Sequence, residues 1–236
     1  MANISVSVLN QSAVLTDTQV QSAIPALQTQ VHRDFAPIYG IDADLIFVPK
    51  KSTPSSDSWM LVIFDNTDQA GALGYHDLTV NGMPLAKVFA ESDIKNGLSW
   101  TVTASHELLE MLGDPDIDLT VFVQSSNTSG ILYAYEVCDA CESDSFGYDV
   151  DGILVSDFVF PAWFESFRVP GSVRFDQQNR ISKPFEILKD GYIGTFDVTA
   201  GSGWQQTTLR GVSKIRVDSR HERRKKPKVM WKRSGI

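Results

Sequence analysis

The chain has 236 residues, 42% of them hydrophobic, and a formal net charge of −8 at pH 7. This composition allows a sizeable core, and two cysteines are too few for a disulfide framework. No 18-residue apolar stretch predicts a membrane span, and the first residues read as a strand rather than a secretory signal. We therefore expect no membrane contact and a cytoplasmic or particle-associated protein.

The first half of the chain predicts strands around one long helix. Thr16 can cap a helix with apolar residues at helical spacing, and Pro25 within it predicts a kink or the start of a second segment. Predicted strands lie at residues 4–9, 44–49, 59–64, 75–80 and 83–89. The last two flank Asn81-Gly82, a pair typical of a two-residue hairpin turn with positive φ.

The second half begins with another helix and then turns to strands and loops. Ser99 can cap a helix that ends near Leu112, because Gly113 and a proline follow. We predict a strand at 131–137, a hairpin at 148–160 folded at Asp151-Gly152, and irregular loops with short strands at 165–209. The fold class is therefore α+β, with a mixed sheet, two principal helices and a β-rich or irregular C-terminal half.

Charge divides the chain into two regions. From Arg210 onward it has 11 Lys or Arg against two acidic residues, a net +9, which leaves −17 on residues 1–209. We predict one acidic α+β domain over 1–209 and a basic tail over 210–236. The tail, with Trp231, predicts contacts with nucleic-acid phosphates or with an acidic partner. It is equally explained by neutralisation of its own acidic body or of a neighbouring subunit, so a homo-oligomer is also open.

The predicted helix from Ser99 carries the sequence His106-Glu107-Leu108-Leu109-Glu110. Residues four apart lie on one helix face, so the imidazole of His106 and the carboxylate of Glu110 can bind one divalent metal. Glu107 would lie beside that metal and its water, where a general base is needed. The alternative interpretation is a polar helix face with a hydrogen-bonded histidine.

This motif, extended to Gly113 and Asp116, resembles the His-Glu-x-x-His-x-x-Gly-x-x-His/Asp signature of zincin and metzincin metallopeptidases, with Glu110 in place of the second histidine. The order of predicted elements before it is also similar. The resemblance implies a zincin-like fold, a peptide or protein substrate lying along the hairpin strand, His106 and Asp116 as ligands and Glu107 as catalytic base. The motif also resembles segments of uncharacterised bacterial and phage proteins.

The third ligand stays open between Asp116 and Glu136, since some zincins use a downstream glutamate. Zinc is the first expectation for the metal, but the extra carboxylate of Glu110 favours Mn²⁺ or Ca²⁺ relative to a site with two histidines. The main hypothesis is a metal-dependent hydrolase that acts as a peptidase. The rival is a zincin-fold structural or binding protein without turnover, such as a particle component whose basic tail contacts a partner.

Three other residues carry two interpretations each. His76 can complete a site or contact substrate, although a strand histidine is more often structural. Cys138 and Cys141 fit either metal or redox chemistry or simple packing at the end of a strand.

Overall fold

The computed structural model describes residues 4–69 and 71–213, without the side chains of residues 212 and 213. Most of the predicted basic tail, from residue 214 onward, lies outside these residues. The described chain is α+β, so this coarse prediction is confirmed. One cluster of buried apolar side chains extends from Val6 to Ile193 and forms the main core.

The first sheet is mixed and has the strand order β2-β1-β3-β5-β4. Its strands are β1 (Ile4–Asn10), β2 (Ala43–Val48), β3 (Trp59–Phe64), β4 (Gly74–Leu78) and β5 (Pro84–Phe89). Four strands are parallel, and β4 pairs antiparallel with β5 at the edge. The connection between β4 and β5 runs from residue 79 to residue 83, so it is longer than the predicted two-residue turn. Of Asn81 and Gly82, only Gly82 has positive φ.

Two long helices accompany this sheet, as predicted. Helix α1 (Asp17–Thr29) begins at Thr16, which forms a reciprocal capping box with Gln19. The helix runs through Pro25 without starting a second segment there; a π-helical stretch (Gln30–Phe35) and the short α2 (Ala36–Tyr39) follow.

Helix α4 (Trp100–Gly113) matches the predicted motif helix and lies against β4 and β5, after the short α3 (Ala90–Lys95). Twelve of its 14 residues are buried. A helix buried on nearly every side is normally apolar throughout. The polar residues His106, Glu107 and Glu110 are therefore unusual here, and buried polar groups must be satisfied by hydrogen bonds, opposite charges or a metal.

The rest of the described chain forms a second, antiparallel sheet and a hairpin. The sheet has the order β12-β11-β10-β7-β6, from β6 (Thr120–Gln124), β7 (Gly130–Ala134), β10 (Tyr192–Asp197), β11 (Trp204–Thr208) and β12 (Gly211–Ser213). The hairpin joins β8 (Tyr148–Val150) to β9 (Ile153–Val155) through Asp151 and Gly152, both at positive φ, as the sequence predicts. Short 3₁₀ turns lie at Asp139–Cys141, Asp144–Phe146 and Pro161–Phe164.

Two buried carboxyl groups, Asp157 and Asp176, lie together after this hairpin. Burial and the charge of Asp176 raise the pKa of Asp157 to about 8. The native protein therefore holds a proton at Asp157 that the unfolded chain loses near pH 4. Between about pH 4 and 8 the folded state binds more protons than the unfolded state, so this group lowers stability as the pH rises.

Asp157→Asn should remove this dependence, because the amide has no proton to lose in this range. We expect the variant to gain on the order of a few kcal/mol relative to wild type between pH 5 and pH 9. Urea unfolding of both proteins at the two pH values measures the difference. Parallel pH profiles would show that the Asp157 carboxyl does not titrate in this way.

Candidate metal centre

Helix α4 presents the three motif side chains to one buried place. His106, Glu107 and Glu110 are 7%, 5% and 4% exposed. The Nε2 atom of His106 lies 3.3 Å from Oε1 of Glu110, so the imidazole and the carboxylate face each other as the i, i+4 spacing predicts.

Strand β4 adds a second histidine to the motif. His76 is 3% exposed; its Nδ1 lies 3.5 Å from Oε2 of Glu110 and 3.8 Å from Oε2 of Glu107. Strand and helix approach closely because Gly74, two residues before His76, has no side chain. A Cβ at Gly74 would lie 2.7 Å from Glu107 Cγ. The sequence offers only weak signals for His76: a histidine on a predicted edge strand, two residues after a glycine.

The segment after β7 brings further carboxylates. Oε2 of Glu136 lies 3.6 Å from Nε2 of His76, and Oδ1 of Asp139 lies 3.3 Å from Nε2 of His106. The backbone N–H of Cys138 donates to Oε1 of Glu110 at 3.2 Å. Glu136 was a candidate from the sequence, whereas Asp139 and Glu142 were missed. The sequence feature that could have indicated Asp139 and Glu142 is the acidic segment that begins at Glu136.

Asp116 occupies a different place from Glu136. It is exposed and belongs to none of the donor groups found among the described residues. After α4 the chain turns around Asp114, whose carboxylate accepts the N–H groups of Asp118 and Leu119. Of the two alternatives for the third ligand, Glu136 lies at the cluster, 8% exposed.

The carboxylates and histidines line a cavity of about 120 Å³ between α4, β4 and the second sheet. The walls include Gly74, Tyr75, His76, His106, Glu107, Glu110, Ala134, Glu136, Asp139, Tyr192, Gly194, Trp204, Gln205 and Gln206. No Lys or Arg is among these lining residues of the described chain. Only the histidines, or a bound cation, can therefore offset the negative charge of the cavity.

Three overlapping donor groups in this cluster could hold a metal ion, each with its ligand atoms within 4.8 Å of one another. The first donor group is His76, Glu110 and Glu136; the second is His106, Asp139 and Glu142; the third is His106, Glu110 and Cys138. Zinc bonds to nitrogen and oxygen at tetrahedral angles hold ligand atoms about 3.3–3.6 Å apart. Within the second group, His106 Nε2 lies 3.3 Å from Asp139 Oδ1, a separation of this kind; in the first group the two nitrogens of His76 face different carboxylates, Nδ1 facing Glu110 at 3.5 Å and Nε2 facing Glu136 at 3.6 Å.

Both histidines are held in the protonated state by their neighbours. Burial lowers the pKa of His76, but the charges of Glu136, Glu107 and Glu110 outweigh it and raise that pKa to about 10. Burial likewise lowers the pKa of His106, and Glu110 with Asp139 raises it well above its ordinary value. Without a metal, the histidines supply the positive charge of the cluster as imidazolium ions.

The carboxyl groups divide into two kinds. Burial raises the pKa of Glu107, raises that of Asp139 well above its usual range and raises that of Glu142 to about 7. Burial also acts on Glu110, but the charge of His106 and hydrogen bonding from both histidines bring the pKa of Glu110 below its usual value. Glu110 is therefore the ionised carboxylate at the centre of the cluster. A bound cation can displace the protons that the histidines and the other carboxyl groups hold.

Cys138 and Cys141 are free and fully buried. Burial raises the pKa of both thiols well above the usual value, and the nearby charge of Glu110 for Cys138 and of Asp157 for Cys141 raises it further. The hard oxygen and nitrogen donors of the first two groups are therefore better placed than the third group to take a metal at neutral pH.

Comparison of the chain with family models, curated proteins and solved structures gives no match. Within the described residues, no helix has both the length and the apolar character needed to cross a bilayer.

The positions of Glu136 and Asp116 predict which of the two side chains contributes to zinc affinity. Glu136→Gln should lower zinc affinity by more than the roughly 10–100-fold loss that follows removal of an outer-shell partner. Asp116→Asn should leave zinc affinity unchanged, because that side chain is exposed away from the cavity. Competition of each variant with a zinc-binding dye measures both affinities; the opposite ranking would assign the ligand to Asp116.

Proposed function

We propose that the protein is a metal-dependent hydrolase of zincin-like fold that acts on peptides. The observation that carries the proposal is the pair of buried histidines facing the two oxygens of Glu110, at 3.3 and 3.5 Å. The ion would bind at the first donor group, whose His76 lies 3.8 Å from Glu107; His106, which is not in this group, faces its Glu110.

The order of elements supports the zincin-like part of the proposal. A strand, a long helix, two strands and a hairpin precede the motif helix, and the hairpin strand β4 is at the edge of the first sheet. An edge strand offers unpaired N–H and C=O groups along which an extended peptide can lie. Because Gly74 and His76 of β4 also line the cavity, a peptide on this edge would pass the cluster.

A bound divalent ion polarises a carbonyl group and makes water a nucleophile near neutral pH. Glu107 would act as the general base: its carboxylate lines the cavity, and its Oε2 has no hydrogen-bond partner among the described residues, so it is placed to take a proton from a nucleophile there. Burial raises the pKa of Tyr192 well above its usual value, so its phenol stays protonated in the cavity. Tyr192 can therefore donate a hydrogen bond to the negative charge that develops on the substrate.

Zinc is the ion that we propose, since imidazole and carboxylate donors grouped within 4.8 Å of one another are typical zinc ligands. The two carboxylates of the first donor group make the site harder than one with two histidines, so Mn²⁺ and Ca²⁺ are the alternatives.

Removal of the metal tests the proposal. We expect purified protein to cleave some members of a mixture of internally quenched peptides, to lose this activity after dialysis against a chelator, and to regain it with added Zn²⁺ or Mn²⁺. Activity that persists without metal would contradict the proposal. Metal that binds tightly without any turnover would favour the rival hypothesis, a non-catalytic binding or particle protein on the same framework.

A further inference from the structure

The first and second donor groups share no residue, so neither takes a ligand from the other. Each contains one histidine and two carboxylates, which gives each ion three protein ligands; a bridging Glu110 would fill the fourth position of the second ion and leave the open position on the first. We propose that the cavity holds two divalent ions, one at each group, bridged by the carboxylate of Glu110.

Glu110 is placed to join the two ions. Its Oε1 lies 3.3 Å from His106 Nε2, in the second group, and its Oε2 lies 3.5 Å from Nδ1 of the His76 ring, whose other nitrogen, Nε2, faces Glu136 of the first group at 3.6 Å. The two oxygens of this carboxylate therefore point to different histidines. Carboxylate-bridged ions in two-metal hydrolases lie about 3.5–4 Å apart, which is the spacing that one bridging carboxylate allows.

The charge of the cluster also favours two ions. Five carboxyl groups belong to it or adjoin it: Glu107, Glu110, Glu136, Asp139 and Glu142. With neutral histidines and ionised carboxylates, one divalent ion would leave most of this buried charge unbalanced, and no Lys or Arg among the described residues lines the cavity. Two divalent ions would leave a single excess negative charge.

One buried nitrogen atom, Nε2 of His76, indicates that the cavity binds a cation. Nε2 of His76 has no hydrogen-bond partner among the described residues, although the side chain is 97% buried. A buried ring nitrogen without a partner carries a desolvation cost. In the deprotonated state that nitrogen is a metal donor, so an ion at the first group would satisfy it.

This inference rests on the metal site of the proposed function, but not on turnover. Its test is the number of ions bound. After dialysis against Zn²⁺ and removal of loosely bound ions, we expect two ions per chain in the wild type. We expect one in His76→Ala and one in Asp139→Asn, and the exposed control Asp44→Asn should keep two.

The spectrum of manganese bound to the wild-type protein gives a readout that does not depend on how any variant folds. Wild-type protein loaded with Mn²⁺ should give the exchange-coupled electron paramagnetic resonance spectrum of a pair of ions, and His76→Ala the six-line spectrum of an isolated ion. Saturation of wild type at one ion, with an uncoupled spectrum, would overturn the two-ion proposal. Peptidase activity with one bound ion would contradict the two-ion proposal and support the proposed function. Two coupled ions without peptidase activity would support the two-ion proposal and contradict only the proposed function.

Discussion

Glu107→Gln is expected to lower kcat for peptide cleavage by about 10²–10⁴-fold, the usual contribution of a general base. Glutamine keeps the size of the side chain and its place beside His76 and Gly74 but cannot accept a proton. The metal content and the thermal unfolding temperature should stay near the wild-type values, because Glu107 belongs to none of the donor groups. Initial rates with quenched peptides, measured together with zinc content, check both parts.

The matched control is Glu91→Gln on α3, whose carboxylate pairs with Lys95 at 2.9 Å and is not part of the cavity wall. It should cleave at the wild-type rate. Undiminished cleavage by Glu107→Gln would assign proton transfer to another group. A loss of both activity and zinc would show that Glu107 binds the metal directly.

Glu110→Gln is expected to have the largest effect on metal binding. Glu110 is the one residue common to the first and third donor groups, and its carboxylate faces both histidines. The amide is a poorer ligand and carries no charge, so zinc affinity should fall by well over the roughly 10–100-fold that outer-shell substitutions cost. Isothermal titration with Zn²⁺ gives the affinity directly.

The same substitution should also release the histidine protons. The charge of Glu110 contributes to raising the pKa of both His76 and His106, so both values should fall in metal-free Glu110→Gln. Nuclear magnetic resonance titration of the ring protons measures this shift, with Glu91→Gln as the control. Unchanged zinc affinity in Glu110→Gln would place the ion elsewhere in the cluster.

Much of the fold could be predicted because it depends on local signals. The capping box at Thr16, the Asp151-Gly152 turn and the Gly113 stop are each properties of a few neighbouring residues, and the structure has all three. The sequence does not predict the π-helical stretch Gln30–Phe35 or the strand order of the second sheet, since both depend on packing between distant segments.

The candidate site shows the same division. His106 and Glu110 could be paired from the sequence because one helical turn separates them. His76 is 30 residues before His106 and meets it only through the packing of β4 on α4, which a single sequence does not reveal. Asp116 fits the motif spacing, yet it lies on the surface because the chain turns around Asp114. Glu136 and Asp139 lie at the histidines because the chain returns to the cluster after β7.

X-ray absorption at the zinc edge of the zinc-loaded wild-type protein tests the metal centre most directly. We expect nitrogen and oxygen ligands at about 2.0–2.1 Å with the outer-shell scattering of imidazole, and loss of the imidazole signal in the His76→Ala/His106→Ala double variant. Zinc surrounded only by water oxygens, or an identical spectrum in the double variant, would show that the two histidines do not bind metal.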